Sequence, residues 1–318
     1  KQQNQLAFGR SQSAWWVRFS LINQTEADWY LLIDSLVGDE FEIFVFPAGF
    51  SNQAITPQLI KSYAVNLQNY PRRSWHLSIP KNQLFNVYIR ATNGNAILNM
   101  PLELLSADKF IMSTFDKYRL VSLVFAGILV LATYQFLMFL VLREASYIIL
   151  AVYMLSVMLT IHRSSPLFSS LFFLSDTNAH FFTAPFLIAI ATSAAYARDI
   201  LSTAYYAQKL DWIFKAFIVV ALVALFTLGA IPLSTIFPPV LTLLLIGFTF
   251  FASLYVASKG SRLGLYFTLI FLIPLGIYLP SLSVLIWKTE LWRPEQDILF
   301  SFGILLFMLL LSIIQAER

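Results

Sequence analysis

Two sets of side chains in this sequence have the types and spacing to do chemistry. The first is Trp16, Arg18, Tyr30, Glu42, His76, Tyr88 and Arg90, which occupy alternate positions of short apolar runs in the first hundred residues, with Glu40 and Asn86 at similar positions. Aromatic rings interleaved with guanidinium, carboxylate and amide groups suit a sugar or another small polar ligand. Rings stack on its apolar faces and polar groups fix its hydroxyls. The same inventory also describes a half-solvated sheet face, and exposed Trp and Tyr equally serve protein contacts, a dimer interface included. The spacing marks no pair of carboxylates as catalytic, so no catalytic residue is assigned.

The second set lies in long apolar stretches: Thr133, Tyr134, Gln135 and Tyr153, with Pro185, Pro274, Gly276 and Pro280 as interruptions. Hydrogen bonds between helices, and kinks repaired by neighbouring helices, account for such residues. The functional alternative is a hinge or a small polar pocket, with Tyr134, Gln135, Pro274 and Pro280 as the relay or hinge candidates. His162, Arg163 and His180 cluster only if the second and third apolar stretches pair as a hairpin, where two histidines titrate near neutral pH.

Several chemistries are excluded. The middles of the apolar stretches are almost free of charge, which argues against an ion-coupled transporter or channel. The last stretch has no lysine for a retinal Schiff base, the apolar stretches have no Gly-Asp dyad, and the chain has no His-Glu-x-x-His pair or Gly-x-Ser-x-Gly elbow. With no cysteine there is neither a disulfide framework nor a thiolate metal site, and no metal or cofactor is expected. A net charge of +4 spread along the chain argues against nucleic acid as a partner.

The elements that must position these residues change character near Arg119. Mean hydropathy is +0.71, and 12% of residues are charged, against about 25% in soluble domains. Before the break, period-two alternation predicts strands at 14–22, 28–34, 40–46, 74–79, 84–92 and 96–104. A long loop over 47–71 carries one more strand near 61–65. Turn chemistry sits at Asn23-Gln24-Thr25, at Val37-Gly38-Asp39 and at Asn93-Gly94, the last a short-hairpin signal. After the break, seven stretches approach the ~20 apolar residues of a membrane span: 120–142, 146–161, 181–196, 212–231, 239–257, 263–287 and 298–314. The fold class is therefore a membrane protein with an N-terminal antiparallel β-sandwich of jelly-roll type (1–115), followed by a seven-helix transmembrane bundle (116–318).

Basic residues set the orientation. With the first domain outside, Arg143, Arg198, Lys209, Lys259 and Arg262 fall in inner loops, and Lys215 and Arg318 near inner ends. Arg163, Lys288 and Arg293 fall outside, and Lys117 and Arg119 weigh against the trend. Trp212, Trp287 and Trp292 sit near boundaries, where amphipathic rings are favoured. An exported first domain implies a signal peptide removed ahead of Lys1.

The segment Ala14-Trp15-Trp16-Val17-Arg18-Phe19-Ser20-Leu21-Ile22-Asn23 resembles the opening strand, Trp-x-Arg-Phe-x-Leu-x-Asn, of the extracellular sensor in bacterial seven-transmembrane receptors with diverse intracellular signalling modules. The strand at 39–46 is similar to that family's Asp-x-Val-x-Val-Tyr strand, with Phe in place of Tyr. Tyr134-Gln135 and Arg143-Glu144-Ala145-Ser146-Tyr147 resemble its first-span signature, Tyr-Asn then Arg-Asp-x-x-Tyr, with Gln for Asn and Glu for Asp. Leu311-Ser312 and Ala316-Glu317-Arg318 resemble the exit into a cytoplasmic linker. The resemblance implies a periplasmic jelly-roll sensor for carbohydrate-like or other small ligands and an inner-membrane bundle. The output, a kinase, cyclase, phosphodiesterase or phosphatase module, is normally fused at the C-terminus. The expected partners are thus a small-molecule ligand, the lipid bilayer, that cytoplasmic module and, because such effectors act in pairs, a second copy in a homodimer. The chain itself is expected to be no enzyme. The rival readings are a transporter or channel with an accessory sandwich, and a receptor whose sandwich binds a periplasmic protein.

Overall fold

The computed structural model describes residues 5–10, 13–33, 39–48, 64–66, 74–93, 97–161, 179–228, 237–287 and 294–318. They fall into two compact units, one within Lys1–Arg119 and the other within Leu120–Arg163 and Thr177–Arg318.

The first unit contains eight described strands: β1 (Gln5–Arg10), β2 (Trp15–Ile22), β3 (Trp29–Ile33), β4 (Asp39–Pro47), β5 (Ala64–Asn66), β6 (Ser74–Leu77), β7 (Leu84–Asn93) and β8 (Ile97–Ser106). Their ladders are antiparallel and form two sheets, β1-β8-β3-β6-β5 and β2-β7-β4. Alternation decides which side chains meet between the layers. Val17, Phe19, Phe85, Val87, Ile89 and Val45 from the smaller sheet share one apolar core with Leu31, Ile33, Trp75 and Leu77 from the larger.

The six main strand expectations and the extra strand near 61–65 correspond to β2, β3, β4, β6, β7, β8 and β5. β1 was not expected, because only Leu6 and Phe8 alternate within it. The Asn93-Gly94 hairpin is overturned: β7 and β8 belong to different sheets. β2 and β4 occupy both edges of β7, and β1 and β3 those of β8, so neither strand has an edge left for the other. Gly94 and the Val37-Gly38 pair lie outside the described residues.

Asn23 organises the passage from β2 to β3. Its side chain is buried, donates to the Ile79 carbonyl (2.8 Å) and accepts from Trp29 Nε1 (3.0 Å) and from the backbone N–H and hydroxyl of Thr25 (3.1 Å each). The motif's closing Asn is therefore a turn residue whose carboxamide replaces a backbone turn.

The second unit is helical: α1 (Ala107–Leu142), α2 (Ala145–Ile161), α3 (Ala179–Ile200), the single turn α4 (Thr203–Tyr206), α5 (Gln208–Thr227), α6 (Phe237–Ser258), α7 (Arg262–Trp287) and α8 (Pro294–Glu317). The start of α1 belongs to the first unit. Helix begins at residue 107, directly after β8 and well before the predicted start at 120, with Asp108 in the first turn where a carboxylate suits the helix dipole. Hydropathy missed these turns because they are too polar for a span.

Three helical segments are long and apolar enough to cross a membrane by length and composition: Ser122–Leu142, Gln208–Thr227 and Phe237–Ser258. Ala145–Thr160, Arg262–Gly276 and Ser301–Glu317 are apolar but shorter among the described residues. Exposed Leu, Val and Phe, such as Val141, Val223, Phe226 and Phe251, cover the outward faces of these helices, as expected where lipid replaces water.

Two turns bring helix ends together. Arg143, after α1, and Ser202, before α4, both adopt left-handed backbone, at φ 59° and 47°. Arg143 N–H closes on the Phe139 carbonyl, and only Arg143 and Glu144 separate α1 from α2.

Candidate functional site

Pairing register places five of the seven expected ligand-binding residues on one surface. Trp16 stands opposite Arg90 and Arg18 opposite Tyr88 across β2 and β7, while Glu42 and Phe44 face Arg90 and Tyr88 across β7 and β4. Because β7 is central, Asn86, Tyr88 and Arg90 form the midline of the outer face of the smaller sheet. Trp16 is 56% exposed, and its ring stacks on Phe44 at 5.8 Å between centroids. The Arg18 guanidinium lies 5.4 Å from the Tyr88 ring, Arg90 Nη1 pairs with Glu42 at 2.7 Å, and Ser20 donates to Asn86 at 2.7 Å. An aromatic shelf thus lies beside an anchored cation and carboxylate. The shelf can take an apolar ring face, and the charged pair, still in water, can exchange solvent for hydroxyl groups.

Tyr30 and His76 belong elsewhere. They face each other across β3 and β6 in the larger sheet, on the side away from the shared core. Their rings are 5.2 Å apart, and Tyr30 stacks on Phe110 of α1 at 4.6 Å, nearly parallel. Phe110 is buried, and His76 Nε2 lies 3.2 Å from Asp28. The pair therefore seats the first turns of α1 on the sheet and does not share a surface with Trp16 and Tyr88. Alternation shows that a residue faces outward; it does not show from which of two layers.

The relay candidates separate as well. Gln135 continues the buried stripe of Val124, Ile128 and Ala132 on α1, whereas Tyr134 is exposed. Both polar atoms of the Gln135 amide are buried without a hydrogen-bond partner among the described residues, and Gln315 on α8 shares that state. Pro274 is buried within α7. Pro280 lies in the same helix, but its side chain, like those of Glu40 and His180, is outside the described residues, as are His162 and Arg163 entirely.

A charged cluster that sequence reasoning did not assemble joins four helix ends. Arg318, after α8, donates to Asp199 near the end of α3 and to Ser146 at the start of α2 (2.6 Å), and Ser146 itself donates to Asp199. Beside it Asp211, almost fully buried at the start of α5, accepts from Arg198, from Lys215 (2.7 Å) and from Thr203 (3.1 Å). Asp199 and Arg318 lie beyond the apolar stretches 181–196 and 298–314. Burial alone would raise the Asp199 pKa; the hydrogen bonds from Arg318 and Ser146 and the nearby Arg198 charge outweigh it and hold the carboxyl below its usual range. One signal was available in the sequence. Asp199 and Asp211 interrupt a run of basic residues that the orientation rule counted only as positive charge.

Comparison with known families gives two matches in chain order. Residues 1–106 match the model for 7TMR-DISM extracellular 2, and residues 117–318 match that for 7TM diverse intracellular signalling. No match to this chain was found among curated proteins. A two-sheet N-terminal unit, helices fit to span a membrane and two family models covering nearly all of the sequence agree: the chain belongs to the 7TM diverse intracellular signalling family of transmembrane signalling receptors, with an extracellular domain of the DISM type at its N-terminus.

Proposed function

We propose that this chain is the sensing and relaying portion of a receptor whose external sandwich, of jelly-roll type, binds a carbohydrate-like or other small polar ligand on the face of Trp16, Arg18, Glu42, Phe44, Tyr88 and Arg90. The observation that carries the reading is the register that gathers these residues around the central strand β7. Residues 1–115 act as the sensor and 116–318 as a bundle of seven crossings in the inner membrane. The sandwich is periplasmic, and α8 leads into the cytoplasm toward a fused signalling module. Tyr30 and His76 serve the relay rather than the ligand, since Tyr30 stacks on Phe110 of α1 and His76 packs against Tyr30. Gln135 supports a relay role too. A buried amide without a partner is costly, and a second helix arrangement that satisfies it would lie close in energy to the first.

Tryptophan fluorescence of the full chain in lipid nanodiscs, titrated with a panel of neutral and acidic oligosaccharides, tests the ligand face. Trp16→Ala and Tyr88→Ala are expected to weaken binding about tenfold each, equivalent to ~1.4 kcal/mol, with unfolding midpoints held near wild type. Saccharide binding indifferent to both substitutions would remove the site from this face. No saccharide binding, together with capture of a periplasmic protein lost in Trp16→Ala, would favour the protein-partner reading.

A further inference from the structure

The helical unit contains a cavity of about 90 Å³ lined by residues of α2, α3, α6, α7 and α8. Three phenylalanines, Phe186, Phe271 and Phe307, supply much of its wall, and its polar groups are hydroxyls, among them Tyr153, Ser193 and Thr242. Among the described residues, none that lines it carries a charge. On α2, α3 and α8 the cavity and the charged cluster lie at different heights: Ser193 is six residues before Asp199, or about 9 Å along the helix, and Phe307 is eleven before Arg318.

Thr242 distinguishes this space from a packing defect. Helical threonines ordinarily return their hydroxyl to the carbonyl four residues back, as Thr133, Thr160, Thr192 and Thr227 do here at 2.7–2.9 Å. The Thr242 hydroxyl oxygen is buried and has no hydrogen-bond partner among the described residues. Thr249 on the same helix shares that state but does not line the cavity. Pro274, also in the wall, has no N–H, so the carbonyl of residue 270 loses its usual donor on the same side of the bundle.

We infer that the cavity is a second ligand site, separate from the sandwich face, for a neutral amphiphile. Its apolar segment packs among the phenylalanines and its hydroxyl or carbonyl oxygen accepts from Thr242. Neutrality follows from the wall: an ion brought here would lose its hydration and meet no counter-charge. Size follows from the volume, which is below the ~150 Å³ that encloses one benzene. The inserted part is therefore a short alkyl segment or small ring, as in a medium-chain alcohol, ketone or ester that partitions into a bilayer.

The test uses the full chain in nanodiscs and two photoreactive probes of equal length, a diazirine-bearing octanol and the corresponding octanoate, with labelled peptides mapped by mass spectrometry. The octanol is expected to label lining segments of α3, α6 and α7 saturably, with competition by unmodified octanol, while the octanoate labels them at least tenfold less. Thr242→Val, which keeps shape and removes the hydroxyl, is expected to lower saturable labelling about five- to tenfold, the worth of one buried hydrogen bond. Ala189→Leu, which fills the cavity from α3, is expected to abolish it. Labelling that never saturates and spreads over outward residues such as Phe226 and Phe251 would show bilayer partitioning alone and overturn the site. So would equal labelling by both probes, or labelling unchanged in Thr242→Val.

Discussion

Replacing Asn23 removes more than one hydrogen bond. In Asn23→Ala the Ile79 carbonyl and the Trp29 indole N–H lose their partner, and the turn at Thr25 loses its acceptor. A buried donor or acceptor left unmatched costs about 1–3 kcal/mol. Because this turn keeps some contact with water, the expected loss is about 2–3 kcal/mol of sandwich stability, read as a lower urea midpoint by tryptophan fluorescence. Asn23→Asp keeps the acceptor and loses the donor to Ile79, so it is expected to fall between wild type and Ala. A change below about 0.5 kcal/mol in Asn23→Ala, the scale of an ordinary surface substitution, would mean that the turn holds without this amide. The contrast with Trp16 is instructive. Both belong to one motif, yet Asn23 is spent on the fold and Trp16 is left on the surface, where function is sought.

At the scale of elements, α6 and α7 show how one position limits a helix pair. A Cβ on Gly264 would come within 2.7 Å of the Ala257 backbone nitrogen and 3.1 Å of its Cα, and backbone atoms cannot swing aside as a side chain does. The turn between the helices is closed by Gly260 at φ 90°, so the two helices cannot easily slide apart. Gly264→Ala is therefore expected to destabilise the bundle by about 1–3 kcal/mol, the usual cost of overpacking, despite the better helix propensity of Ala. Gly276→Ala, which meets nothing within 4 Å, is the control. Thermal unfolding in nanodiscs separates them, and equal midpoints would contradict the close approach. Elements were largely legible in the sequence because alternation and apolar length are local signals, and β2, β4, β7 and the helices after 145 lie close to where those signals put them. Partnership was not. The Asn93-Gly94 turn reads as a hairpin until both edges of β7 are seen to be taken, and Tyr30 and His76 read as companions of Tyr88 until the strands are sorted into layers. The start of α1 was lost for the opposite reason, since its polar turns are held by one stacked ring, Phe110 on Tyr30, that no periodicity announces.

On the scale of the whole molecule, the cluster of Ser146, Asp199 and Arg318 joins residues 53, 119 and 172 positions apart, which is why no local pattern revealed it. It fastens the end of α8 to the ends of α2 and α3, and α8 is the helix through which the proposed signal leaves. Both ionic partners keep partial contact with solvent, so the clamp is worth only about 1 kcal/mol. That is small enough for a conformational change to break, and its effect belongs in the position of α8 rather than in overall stability. Its pH dependence follows from the lowered Asp199 pKa. The stabilisation is complete above the unfolded carboxyl value of about 3.9 and is lost as pH falls through the lower folded value. Between pH 5 and 8 the clamp should therefore stay shut. A spin label at Ala316, which is exposed, is expected to show one restricted spectrum across that range in the wild type and a mobile one in Asp199→Asn. Arg318→Lys should give an intermediate spectrum, because an ammonium reaches Asp199 without the two-pronged geometry of a guanidinium. A label equally restricted in Asp199→Asn would show that packing along Met308, Leu311 and Ile314 holds α8 without the charges. A wild-type label that loosens between pH 8 and 5 would place the titrating group elsewhere.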